Sequence, residues 1–122
     1  MKAAVLLTVA MVGLAGCGSP QERARVSADE LAARAHNDID PRSNQAVPAE
    51  LVARRAIEHH LEVVQVEGVD TAATEGVSLT IRLVAYGADS DFWPTDFTEY
   101  TFCYVLWFHR HEERKPDRVT CP

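Results

Sequence analysis

A chain of 122 residues holds one domain and hardly two, since domains rarely fall below about 50 residues. Its 18 Asp and Glu against 12 Lys and Arg give a net charge of −6, and no Lys/Arg cluster interleaves with aromatics, so the surface repels phosphate backbones and nucleic-acid binding is disfavoured. Enzyme signatures are missing too. There is no Gly-x-Ser-x-Gly elbow, no His-Glu-x-x-His, no phosphate loop and no dinucleotide fingerprint, so neither catalysis nor a cofactor is expected.

The first 16 residues have the layout of an export signal: a charged start at Lys2, an apolar run over residues 3–12, then small residues. The run is too short to span a bilayer, which takes about 20 apolar residues. It ends in Leu14-Ala15-Gly16-Cys17, which resembles the lipobox of bacterial lipoprotein precursors at all four positions. The resemblance covers the leader alone. It implies that residues 1–16 are a signal peptide cleaved after Gly16, that the Cys17 thiol carries a diacylglyceryl group, and that the new amino group is open to acylation with palmitate-like chains. Two or three acyl chains give stable anchoring where one binds marginally, so the mature chain is expected on the extracytoplasmic face of a bacterial cell membrane. Without Lys2, 18 acidic residues face 11 basic ones, and the net charge becomes −7.

Residues 17–26 read as a lipidated N-terminus and polar tether, and residues 27–122 as a single α+β domain. At its start, Ser27 can cap a helix, Glu30 completes the capping box, and Val26 with Leu31 forms a hydrophobic staple. This predicts a first helix from Ala28 to about Asn37, ahead of Pro41. Pro48 suits the first position of a second helix, whose apolar face is Ala49, Val52, Ala53, Ala56, Ile57 and Leu61. Glu50, Arg54, Glu58 and Glu62 run down the other side. His59 and His60 sit side by side and make no helical ligand pair; His60 is expected to border the core and His59 to face water. Residues 62–67 fit either a helix extension or a strand, and a short strand ending before Gly68 is the favoured reading.

Val77, Leu79, Ile81, Leu83 and Ala85 alternate with Ser78, Thr80 and Arg82, the period-two pattern of a strand buried on one side. Residues 100–109 are apolar on both sides, which predicts a central strand covered twice. A last strand over residues 118–121 would close the chain through a hairpin centred on Glu112. That register puts Val105 opposite Val119 and Cys103 opposite Cys121. With Cys17 used by the leader, Cys103 and Cys121 form an even pair in an exported domain, and a disulfide is expected. The fold class is therefore α+β: two N-terminal helices packed on an antiparallel sheet of three to four strands.

Two segments carry candidate sites. The loop over residues 87–97 is longer than hairpins normally use and holds Phe92, Trp93 and Phe97 among acidic residues. These aromatics either anchor a protein partner or fold back as a lid on the core. Asp89-Ser90-Asp91 begins like a calcium loop, but Trp93 and Pro94 stand where a ligand and the turn glycine belong. Further on, His109 and His111 fall on one face if the strand continues, with Glu112 and Glu113 following, which makes a metal site the alternative. The leading expectation is a membrane-tethered, non-catalytic binding or interaction module with its surface around Trp93. A metal-binding lipoprotein is the second.

Overall fold

The computed structural model describes residues 18–90, 93 and 96–122. The leader, Cys17 and Phe92 lie outside the described residues.

Helix α1 spans Pro20–Ile39, so it begins at Pro20 and not at Ala28. Ser19, in an extended conformation, accepts a hydrogen bond from the Glu22 N–H at 3.1 Å, and Pro20 fills the first helical position, where its missing N–H costs nothing. From Pro20 on, the stretch expected to be a tether belongs to the folded domain. Ser27 lies inside the helix, and the anticipated staple residues Val26 and Leu31 are exposed. The buried stripe is instead Ala24, Ala28, Ala32, Ala35, His36 and Ile39. Its spacing of three and four is helical, and its small side chains bring the helix backbone close to the sheet.

Helix α2 spans Ala49–Glu58, with Pro48 just outside it as the capping residue. Val52 and Ala56 are buried and Ala49 and Ala53 half-buried, but Ile57, expected on the same face, points outward. The helix stops because His60 takes a left-handed conformation (φ 64°). The Leu61 N–H then reaches the Ala56 carbonyl and the His60 N–H reaches that of Ile57, a Schellman ending. His60 is thus an exposed turn residue and not, as anticipated, a border of the core.

Four strands, β1 Glu62–Glu67, β2 Val77–Ala88, β3 Phe97–Phe108 and β4 Asp117–Val119, form one antiparallel sheet in the order β1-β2-β3-β4. The fold is the anticipated α+β arrangement of two helices on a small antiparallel sheet. Strand β1 ends before Gly68 and carries a bulge at Val63/Gln65. The predicted alternation of β2 holds: Val77, Leu79, Ile81 and Ala85 face the helices and are buried, joined across the ladder by Tyr104, Leu106 and Phe108 of β3. Burying one side chain of this size stabilises the fold by about 2 kcal/mol.

The β3–β4 pairing differs from the predicted register by two residues. Cys103 lies opposite Val119 and Val105 opposite Asp117. The disulfide between Cys103 and Cys121 forms all the same, with Cα atoms 5.0 Å apart. Cys121 sits just past the end of β4, where the backbone no longer has to follow the ladder and can approach its partner obliquely. Closing a loop of 18 residues is worth about 3 kcal/mol. Strand β3 is central, but it is covered on both faces over its second half alone. Cys103 and Trp107 are buried, while Phe97, Glu99 and Thr101 on the same face are open.

Helix α1 and the β2–β3 ribbon run the length of the domain together. The carbonyl of Pro20 lies against Gly87, and a Cβ on that glycine would stand 1.8 Å from it. At the other end Asp40, just past the helix, lies across a cleft from Phe108 and His109. Twenty residues of helix separate the two ends by about 30 Å.

Candidate functional site

At the β2–β3 turn the backbone is tied down on both sides. The Asp89 N–H donates to the Asp96 carbonyl at 3.1 Å, and the Phe97 N–H is capped by the Asp96 carboxylate at 2.9 Å. From the helix side, Arg23 donates to the Ala88 carbonyl at 2.6 Å. The ladder pairs Val84 with Thr101, Tyr86 with Glu99 and Ala88 with Phe97, all on the sheet face turned away from the helices. Val84, Tyr86 and Phe97 are exposed there, and Trp93, between the two strands in sequence, is 82% exposed. Of the aromatics read as a possible lid, the two described ones, Trp93 and Phe97, face solvent and not the core. Phe92 lies outside the described residues.

Apolar side chains held open on hydrogen-bonded strands, with nothing among the described residues covering them, are the usual mark of a contact site. Glu99 lies across the ladder from Tyr86 on the same face, and Asp89 and Asp96 flank the turn, with Arg23 behind. The sequence reading named Trp93 and Phe97 but missed Val84 and Tyr86. Their signal was available: the polar phase of β2 runs Ser78, Thr80, Arg82 and then turns apolar at Val84 and Tyr86.

At the opposite end, β3 stops at Phe108, one residue before the histidine pair. His109 is stacked on Trp107 with ring centroids 5.3 Å apart, and its Nδ1 accepts the His111 N–H at 3.2 Å. The two imidazoles meet edge to face at 6.1 Å. One ring nitrogen of His109 is therefore already engaged with the backbone. Among the described residues no group of three or more His, Cys, Asp or Glu is arranged to hold a metal ion. No such group brings His109 and His111 together with Glu112 or Glu113. The loop instead lines a polar cleft of about 230 Å³ with Asp40, Arg42 and Thr71. The Arg110 N–H on the Thr71 carbonyl ties two of its walls together, and just beyond it Arg114 lies 3.9 Å over the Trp107 ring.

The sequence reading also missed His36, which lies on the core stripe of α1. Its ring stacks on Phe108 at 4.7 Å and its Nε2–H donates to the Trp107 carbonyl at 2.9 Å. A buried imidazole satisfied in this way fastens α1 to the end of β3 and is not available for chemistry.

Among the described residues no helix is long and apolar enough to cross a membrane. Comparisons with protein families, with curated proteins and with solved structures find no match to this chain.

Proposed function

We propose that the chain is a lipid-anchored, extracytoplasmic, non-catalytic binding module, attached through Cys17, whose contact surface is the open strip of Val84, Tyr86, Trp93 and Phe97. The observation that carries the reading is the inverted use of side chains. Alanines fill the core stripe of α1, while large apolar and aromatic residues stand outside on a firmly paired ribbon. Nothing among the described residues buries them, and leaving them in water forgoes burial worth about 2 kcal/mol for each large side chain. A surface kept at that cost is kept for a contact.

The leader supports the address, because the four residues ending at Cys17 match the lipobox pattern and the Cys103–Cys121 bridge suits an oxidising compartment. Labelled palmitate is expected to enter the wild-type chain in a bacterial host and not the Cys17→Ser chain. Absence of label from the wild type, in cells where a known lipoprotein incorporates it, would refute the anchor. For the surface, a photoreactive group at position 93 should give adducts in intact cells that the same group at position 110 does not. Equal yields from the two ends would remove the assignment to this strip.

A further inference from the structure

The geometry points to a specific occupant for this strip: the interfacial layer of the very membrane that holds the anchor, into which the β2–β3 tip dips its aromatic side chains. The inference rests on the proposed anchor at Cys17 and deepens it by naming what the strip touches.

Chain length decides the matter. Pro20 is fixed against Gly87, at the root of the tip, and Cys17 precedes it by three residues. Three residues reach about 10 Å even when fully extended. An acylated Cys17 thus holds the tip within about one strand spacing or two of the headgroups, and the exposed strip meets lipid at an effective concentration that no freely diffusing protein matches. The far end of the domain, with its polar cleft, is carried about 30 Å away along α1.

The chemistry of the strip agrees. Trp and Tyr are the side chains that settle at the membrane–water boundary, where an apolar ring and a polar handle are both satisfied. Trp93, Tyr86 and Phe97 supply the rings and Val84 extends the apolar strip. Glu99, across the ladder from Tyr86 on the same face, and Asp89 and Asp96 at the turn keep the backbone out of the hydrocarbon and limit the contact to side-chain depth. A protein-binding hot spot would not need to sit at the point where the tether leaves the domain. A membrane contact has to lie close to it.

The chain has two tryptophans, Trp93 exposed and Trp107 buried, so its own fluorescence reports the depth of the tip. The test uses the full lipidated protein in phosphatidylcholine vesicles whose acyl chains are brominated near the headgroup, with flotation run on the same samples. Wild-type emission should shift to the blue and lose up to about half its intensity, the share of the one exposed tryptophan, while Trp93→Phe should be nearly unaffected. The double variant Tyr86→Ser, Phe97→Ser, which keeps the reporter and alters exposed positions alone, should lower the quenching of Trp93. Protein that floats with the vesicles but shows the same emission with and without bromine would overturn the membrane contact and leave the anchor intact. Unchanged quenching in the double variant would overturn the strip as the contact. Protein that fails to float would refute the anchor, and the inference would fall with it.

Discussion

The two ends of this domain solve opposite problems. At the His109–Glu113 end, polar and aromatic groups are spent on one another: His109 on Trp107 and the His111 backbone, Arg114 on Trp107, Arg110 on Thr71. At the β2–β3 tip, polar groups hold the backbone and the large side chains are left over. The first end looks richer in chemistry because it concentrates histidines and charges, yet its groups mostly serve the local fold. The second contains no group with obvious chemistry and leaves Tyr86, Trp93 and Phe97 standing in solvent. On the proposed function, unmet burial marks the site better than residue type does.

The sharpest way to break this contrast is to cut back its two tryptophans. Trp107, whose indole N–H donates to the Glu75 carbonyl at 2.7 Å, is part of the structure, and Trp107→Ala should cost about 3–5 kcal/mol in chemical denaturation. Trp93→Ala should change stability by less than about 0.5 kcal/mol. Similar losses at both positions would mean that the tip is also a structural element.

A smaller effect is expected where the tip meets the helix. Gly87→Ala puts a methyl group against the Pro20 backbone, and relieving that contact should cost about 1–3 kcal/mol, with amide exchange rising first in the opening turn of α1. Protection lost at the histidine end instead would show that the two ends are not independent.

The smallest effect serves as a control between the ends. Tyr104 lies mid-way along β3 and donates to Asp29 of α1 at 2.5 Å. Burial, aided by that carboxylate, pushes its hydroxyl pKa well above the ordinary phenol range. The folded state therefore keeps the proton longer than the unfolded one, and stability should fall as pH rises above about 10, where the unfolded phenol ionises first. Tyr104→Phe should cost about 1 kcal/mol at neutral pH and flatten that alkaline decline, as read by denaturation at a series of pH values.

Much of the fold was legible because its signals are local. The alternation of Val77 to Ala85 needs one buried face and nothing else, and the end of β1 at Gly68 follows from a residue held at φ 102°. The start of α1 was misread because the chain offers the same capping pattern twice, Ser19 with Glu22 and Ser27 with Glu30. Locally the two are close to equivalent. The contact of Pro20 with Gly87 and the burial of Ala24 add tertiary support to the earlier one, so the helix runs on to it. The strand register was misread for a related reason: a disulfide pair does not have to be directly opposed when one cysteine lies beyond its strand.

Of the candidate site, Trp93 and Phe97 could be picked from composition and loop length, whereas whether they face water or the core could not. That choice depends on what else covers the far face of β3, and the disulfide, Trp107 and Arg114 cover its second half alone.

What the amino-acid sequence determined by itself was the class of the fold, the pairing of Cys103 with Cys121 and the periodic faces, because each depends on neighbours a few residues apart or on simple parity. Only the tertiary structure decided that the helix begins beside the hairpin tip, that His109 is engaged by its neighbours, and that the apolar side chains of the tip stay in the open. Those outcomes turn on which distant segments arrive at the same place, and packing, not local preference, settles that.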